Sequence, residues 1–285
     1  MRVRSLSLAA ACAAMCVSGA GLLAQQPTGG QAPAGQAGRQ GGRSGQSGVG
    51  GRGRGAAPQT PAPRNAQGRV VLGGKGVWTP SGFGITAPLL AEDKTPYQPW
   101  AKALFEYRQA NELEPHTRCK PSGFVRQFLT PYGVEFVELP DIQRIYIFDI
   151  GGPHTYRTIY MDGRPHPDKV APSYYGHSIG RWDGDTLVVD TVGYNEAFWM
   201  DRRGMPHTDQ LHTTERFTRT SLQQIRYDVT VDDPGAYTAP WSSGFTLAWN
   251  EGQELFEYIC QQSNYAGELM VGEMNSVDRS SPIVP

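Results

Sequence analysis

Imidazole and carboxylate side chains are concentrated in one part of the chain. Of its six histidines, four lie between residues 166 and 212, with aspartates and glutamates around them. A neutral imidazole oriented by a carboxylate accepts a proton at neutral pH, and imidazoles combined with carboxylates are also the ligands of zinc and similar ions. The pattern indicates proton transfer or metal binding, and the residues concerned are His166, His177, His207, His212, Asp162 and Glu215.

For proton transfer, the candidate catalytic residues are His177, Asp162 and His212. His177 is expected to open a strand, and Asp162 lies in the loop before it. Ser178 offers no nucleophile to His177, because adjacent residues of a strand point to opposite faces. The folded region also has no Gly-x-Ser-x-Gly elbow, no His-Glu-x-x-His helix and no phosphate-binding glycine loop. The sequence therefore leaves open whether the protein is an enzyme and favours no reaction class.

A divalent-metal site would use His177, His207, His212 and Glu215. The spacing from His207 to Glu215 falls in a strand-like pattern, in which His212 and Glu215 would point to opposite faces. Only a turn at the start of the strand would bring these side chains together. The alternative is that the histidines form hydrogen bonds to nearby loops. No cofactor is certain, and a divalent metal stays open.

Aromatic residues suggest a third use, the binding of a small molecule. Tryptophans and tyrosines are frequent beyond residue 155 and would either line a cavity inside a barrel or fill its core. Adjacent aromatic pairs such as Tyr174-Tyr175 and Phe198-Trp199 place one ring toward a loop. The candidate ligand-binding residues are His166, Tyr175, Trp199 and His207.

The elements that position these residues are predicted to be mostly strands. One amphipathic helix is expected over Tyr97–Asn111, with Trp100, Leu104 and Tyr107 at helical spacing. Beyond Cys119 the chain consists of short runs rich in Val, Ile, Tyr, Phe and Thr, separated by Gly, Pro, Asp and Asn. The predicted strands are Val134–Leu139, Gln143–Ile150, Thr155–Met161, His177–Trp182, Thr186–Val192, Thr213–Arg219, Gln224–Val231, Phe245–Trp249 and Leu255–Gln261.

These strands predict a mainly β fold. Tight turns without intervening helices favour an antiparallel meander, closed as an up-and-down, lipocalin-like barrel with one N-terminal helix, or folded as a two-sheet sandwich. Asp183-Gly184 predicts a two-residue hairpin, so the chain leaving Val192 lies at the same end as His177. The loops 162–177 and 194–212 are therefore expected to form one mouth.

The N-terminal third differs in composition from the rest. Residues 1–91 contain nine basic residues and no acid, whereas the whole chain has a net charge of −1. Arg2 and Arg4 precede an apolar run, which predicts a signal peptide over residues 1–24, with an uncleaved membrane anchor as the alternative. Residues 25–68 are rich in Gly, Gln, Ala and Arg and predict a disordered linker. Residues 69–285 are expected to form the folded β domain.

The predicted export bears on cysteines and partners. Cleavage would leave Cys119 and Cys260, which predict one disulfide in an oxidising compartment, with two buried thiols as the alternative. The linker arginines are expected to meet an anionic envelope surface rather than nucleic acid, and no membrane span remains after cleavage. These linker arginines are Arg39, Arg43, Arg52 and Arg54.

Three blocks of sequence carry a resemblance, namely 159–167, 176–191 and 231–241. They are similar to those of a large uncharacterised family of exported bacterial proteins, frequent in acidobacteria and related soil bacteria. The resemblance covers about residues 88–262. It implies a periplasmic or secreted location and a domain extent, but no reaction, ligand or catalytic residue.

Three functions remain open from the sequence. The first is an exported barrel-like domain that binds or acts on a small organic ligand at a mouth lined by histidine, aspartate and aromatic residues. The second is a metal-dependent hydrolase or lyase that uses the clustered histidines. The third is an envelope interaction domain.

Overall fold

The computed structural model describes residues 59–150 and 155–260 as a nine-stranded closed barrel with one α-helix, which confirms the predicted mainly β barrel. The helix α1 covers Pro99–Asn111. The strands are β1 Gly76–Ser81, β2 Val134–Leu139, β3 Arg144–Asp149, β4 Thr155–Tyr160, β5 His177–Asp183, β6 Thr186–Val192, β7 His212–Ser221, β8 Gln224–Asp232 and β9 Trp241–Glu251. Short 3₁₀ helices lie at Glu92–Lys94, Pro115–Arg118, Val125–Leu129 and Pro140–Ile142.

Every strand pairs with the next in sequence, and β9 closes the ring on β1. All these pairs are antiparallel except β4 and β5, which are parallel and pair only Ile159 with Ser178 and Tyr160 with Ile179. Strand direction can alternate all the way round a closed ring only if the number of strands is even. Nine strands therefore require at least one parallel pair. Here the expected up-and-down alternation is broken at β4–β5, and residues 161–176 return the chain to the starting end.

Two segments differ from the predicted strands. The glycine-rich run before Val77 leads into β1, a strand that was not predicted and that pairs with β9 over six residues. Gly76 lies so close to β9 that a Cβ atom would come within 2.5 Å of the Asn250 carbonyl oxygen. At the other end, the described residues of the predicted strand Leu255–Gln261 do not form a strand. They continue past β9 to Cys260, and residue 261 lies outside the described residues.

The barrel interior is filled by side chains and by a plug segment, residues 124–130. The 3₁₀ helix Val125–Leu129 within it is fully buried. The Phe128 ring centroid lies 5.6 Å from that of Phe217 and 5.0 Å from that of Tyr227. The aromatic residues that point inward therefore pack the core, which is the alternative that the sequence left open.

Helix α1 buries a different face from the predicted one. Ala101 and Phe105 are buried, whereas Trp100 and Tyr107 are 46% and 55% exposed. Phe105 stacks on Tyr97, with ring centroids 5.4 Å apart. The helix starts at Pro99, later than expected, because Tyr97 pairs with Tyr237 as an isolated β-bridge.

Two segments outside the strands are attached to the barrel, one before β1 and one after β9. Residues 59–68, which the sequence places in the linker, contact the barrel: Arg64 donates to both carboxylate oxygens of Asp185 at 2.8 and 2.6 Å. The predicted Cys119–Cys260 disulfide is confirmed, with a Cα–Cα distance of 5.5 Å. The predicted signal peptide, most of the predicted linker and the C-terminal residues 261–285 lie outside the described residues. No helix in the described ranges is long and apolar enough to cross a membrane.

Candidate functional site

Four of the polar side chains meet on the outer face of the barrel. His177 on β5, Asp190 on β6 and His212 on β7 each precede an inward-pointing, buried residue in their strands, so they point outward. His166 lies in the 161–176 segment that crosses this face. We call His166, His177, Asp190 and His212 the relay cluster.

Hydrogen bonds connect the relay cluster in a single chain. The Nδ1 atoms of His166 and His177 are 2.8 Å apart. His166 Nε2 lies 2.8 Å from Asp190 Oδ1, and His212 Nε2 lies 2.8 Å from Asp190 Oδ2. Asp190 thus links the two histidine branches.

The hydrogen-bond partner of each imidazole nitrogen determines whether that nitrogen carries a hydrogen. A carboxylate only accepts hydrogen bonds, so His166 and His212 donate to Asp190 from Nε2. A neutral His166 then has its lone pair at Nδ1, so the hydrogen of the histidine pair lies on His177 Nδ1. His177 Nε2 is left unprotonated and free to accept a proton.

The electrostatics of the cluster agree with this arrangement. Burial by itself would raise the pKa of Asp190, but hydrogen bonds from His212 and His166 outweigh it and hold this pKa below its usual range. Burial lowers the pKa of His177, and the neighbouring His166 and Arg164 lower it further, against an opposing effect of Asp162. At neutral pH Asp190 is therefore ionised, and His177 is uncharged and can act as a base.

A groove of about 370 Å³ runs beside His177, where the short β4–β5 ladder ends. One wall is residues 155–158 and Tyr160 of β4, and the other is residues 173–177 together with Pro121. Beyond its two paired residues, this edge of β4 faces the groove instead of another strand. The groove therefore offers backbone groups, tyrosine rings and one imidazole to a ligand.

Tyr160 and Asp162 order the His177 end of the groove. The Tyr160 ring stacks on the His177 ring at 4.9 Å, and the guanidinium groups of Arg144 and Arg164 lie over Tyr160 at 4.4 and 4.3 Å. Asp162 accepts hydrogen bonds from both arginines, and the Arg164 contact lowers the pKa of Asp162 well below its usual range. Asp162 thus fixes the arginines, and among the described residues its hydrogen bonds are with them rather than with His177, which it was expected to orient.

His207 lies away from the relay cluster. Its ring is buried 4.2 Å from the ring of Phe198, and its Nε2 lies 3.1 Å from the Phe198 carbonyl oxygen. Burial lowers the pKa of His207 to about 4. The expected grouping of His207 with His177 and His212 does not occur, because the 194–211 loop folds this side chain into the core.

Glu215 points into the barrel, as the strand spacing from His212 implies. Its carboxylate pairs with the Arg157 guanidinium and accepts a hydrogen bond from the Tyr227 hydroxyl at 2.9 Å. The four expected metal ligands thus do not converge. Within the ranges that the structure describes, no group of three or more His, Cys, Asp or Glu residues is arranged to hold a metal ion.

The two expected aromatic ligand contacts have different positions. Tyr175 lines the groove and its hydroxyl donates to Asp149 at 3.2 Å. Trp199 is only 5% exposed and packs under Arg108, 5.2 Å from the guanidinium carbon. Tyr175 therefore belongs to the groove, whereas Trp199 belongs to the packing of α1.

Sequence reasoning missed Asp190, although a signal for it existed. The two-residue turn lies at Gly184-Asp185, one residue later than the predicted Asp183-Gly184, and its register pairs Ile179 with Asp190. His177 and Asp190 are then diagonal neighbours on one face of the sheet. Comparison of the chain with family models, curated proteins and solved structures found no match, so the functional argument depends on the chemistry of this site.

Proposed function

We propose that the protein binds a small, uncharged, hydroxyl-bearing organic molecule in the β4–β5 groove and removes a proton from it through His177. The observation that carries this proposal is the hydrogen-bonded chain from His177 through His166 to Asp190, with His177 at the groove wall. A general base must combine access to the ligand with a free lone pair. His177 lines the groove, and its Nε2 carries the free lone pair.

The proton transfer balances within the cluster. The ligand O–H bond breaks, its electron pair stays on the ligand oxygen, and the proton binds His177 Nε2. The Nδ1 hydrogen of His177 then moves to His166 Nδ1 across 2.8 Å. His166 becomes an imidazolium ion whose positive charge lies beside the Asp190 carboxylate. His212 holds the second carboxylate oxygen and keeps Asp190 in position.

The groove walls favour an uncharged ring as the rest of the ligand. Tyr174 contributes an aromatic ring to the lining, and such a ring stacks on flat or apolar ligand faces. The buried Arg157 guanidinium is neutralised by Glu215. Arg157 therefore offers no unpaired charge to a ligand. The specific contact is instead the one between a hydroxyl group of the ligand and His177.

Ligand pairs that differ only in the hydroxyl test the proposal. A library of ring compounds, each as the free hydroxyl and as its methyl ether, is screened by saturation-transfer NMR against protein labelled with ¹⁵N-histidine. We expect hydroxyl compounds to bind and to shift the His177 and His166 imidazole signals, and we expect the ethers to bind at least tenfold more weakly. His177→Phe should remove this preference, whereas Tyr107→Ala on α1 should not. Equal binding of hydroxyl and ether compounds, or shifts absent from both histidines, would refute the proposal.

Export belongs to the same proposal. The Cys119–Cys260 disulfide supports it, because disulfides persist in oxidising compartments. The basic, apolar start of the chain supports a cleaved signal peptide. Cell fractionation followed by N-terminal sequencing should find a periplasmic or secreted protein that begins near Gln25, and an intact Met1 in the cytoplasmic fraction would contradict it.

A further inference from the structure

A second cavity, separate from the relay cluster, lies on the outer face of β2, β3 and β4. Its volume is about 500 Å³. The sheet forms its floor, and residues 255–257 of the segment that leads to the disulfide form its other side. We call it the acidic aromatic pocket, after the side chains of Glu135, Phe148, Tyr156, Phe256 and Glu257 that line it.

The pocket exposes three aromatic rings. Phe148 and Tyr156 face each other across β3 and β4, with ring centroids 6.0 Å apart. Phe256 comes from the other side and is held edge-on by Tyr132 at 5.6 Å. The three rings are 38%, 58% and 49% exposed, respectively. Aromatic side chains of this size are normally covered, so the arrangement suits a ligand that packs on ring faces.

The charge of the pocket is negative and is not balanced by the described residues. Glu135 and Glu257 line it, and no Arg, Lys or His is among its described lining residues. Neither of these glutamates, nor the adjacent Glu254, forms an ion pair within the described ranges. Burial raises the pKa of Glu135, and repulsion by Glu254 adds to this effect. A cation in the pocket would relieve that repulsion.

We propose that the acidic aromatic pocket binds an organic cation of the alkylated ammonium class. Such a cation is attracted to the negative faces of aromatic rings within about 6 Å, and carboxylates at the rim balance its charge. Its alkyl groups bury the apolar faces of Phe148, Tyr156 and Phe256. An anion would meet two unpaired carboxylates, and a bare metal ion would lack a convergent set of ligands among the described residues. The proposal does not depend on the function of the β4–β5 groove.

A matched pair of probes tests the charge requirement on the unmodified protein. Choline and 3,3-dimethylbutan-1-ol have the same shape, but the first has a quaternary nitrogen where the second has carbon. Binding is measured by NMR titration at fixed ionic strength. We expect choline to bind at least fivefold more tightly, because only its charged nitrogen is attracted to the aromatic faces. Equal affinities, or no binding of choline, would overturn the proposal.

Variants then locate the binding site. Phe148→Leu and Glu135→Gln alter the pocket but not the groove, and each should weaken choline binding at least threefold. Tyr107→Leu removes an exposed ring from α1 and should have no effect. Choline should leave the imidazole signals of His177 unchanged. Choline binding that survives both pocket variants, or that shifts His177, would place the cation elsewhere and would also overturn the proposal.

Discussion

Arg157 on β4 and Glu215 on β7 form an ion pair inside the barrel, where both side chains are at most 1% exposed. Arg157 Nη1 donates to Glu215 Oε1 at 3.0 Å, and Arg157 Nε donates to Ser178 Oγ at 2.9 Å. Burial alone would lower the pKa of Arg157, but the Glu215 carboxylate raises it, so Arg157 stays charged. Arg157 thus connects β4 to Ser178 on β5 and to Glu215 on β7, across the interior of the barrel.

We expect loss of one partner of this pair to be costly. Glu215→Leu or Arg157→Met leaves an uncompensated buried charge on the remaining partner, and each should lower the free energy of unfolding by about 3–5 kcal/mol. The double variant Arg157→Met/Glu215→Leu should lose less than the sum of the single variants, because no buried charge remains. Urea unfolding measures all three. Single variants that lose less than about 1 kcal/mol would show that the pair is solvated.

His207 should make the stability depend on pH. Its pKa falls from 6.5 to about 4 on folding, so the unfolded state binds more protons between these values and stability falls as the pH falls. Between pH 7 and pH 5 this residue should cost about 2 kcal/mol. Urea unfolding of the wild type and of His207→Gln, which cannot titrate, should show a smaller pH effect in the variant by about this amount. Identical pH effects would mean that His207 is not shielded from protons.

The two faces of α1 offer a direct comparison. Phe105 is 2% exposed and Tyr107 is 55% exposed. Phe105→Ala should lower the free energy of unfolding by about 3–5 kcal/mol, whereas Tyr107→Ala should lower it by less than about 1 kcal/mol. Thermal or urea unfolding distinguishes them. A larger loss in Tyr107→Ala than in Phe105→Ala would show that α1 buries the face that the sequence predicts.

The hydrophobic pattern of a strand predicted more of this fold than the pattern of the helix did. Strands β2 and β6 have the predicted bounds, because alternation and a tight turn are both local signals. The buried face of α1 depends on Tyr97 and Tyr237, which are distant in sequence and supply no local signal. The parallel β4–β5 pair follows from the closure of nine strands, which only the assembled barrel reveals.

The candidate site was predictable only in part. The expected nearness of His177 and His212 follows from the hairpin. In the structure His212 forms a hydrogen bond to Asp190 directly, and His177 is connected to Asp190 through His166. Glu215 was separated from His212 by strand alternation, which the sequence already indicated. The burial of His207 depends on how the long 194–211 loop packs, and no periodicity describes such a loop.

The disulfide should supply a large part of the stability. It joins residues 141 positions apart, and closing a loop of this length stabilises the folded state by about 4–5 kcal/mol in the chain-entropy account. Cys119→Ser/Cys260→Ser should lower the free energy of unfolding by that order, and dithiothreitol should have the same effect on the wild type but none on the variant. A reductant effect on the variant would point to another cause.

The relay cluster predicts an unusual state of His177. With His166 donating to Asp190, the hydrogen of neutral His177 lies on Nδ1 and its Nε2 is bare. ¹⁵N NMR of the imidazole nitrogens should find this Nδ1–H form at pH 7, and His177 should be more than half uncharged at pH 6.5, because its pKa is lowered. Asp190→Asn removes the carboxylate that fixes the tautomer of His166, so His177 should shift toward the Nε2–H form. Asp183→Asn, which removes an exposed carboxylate from the same hairpin, serves as the control and should leave the tautomer unchanged. A His177 that shows the Nε2–H form in the wild type would mean that Nε2 cannot accept a proton, and that the chain from His177 to Asp190 does not act as a relay.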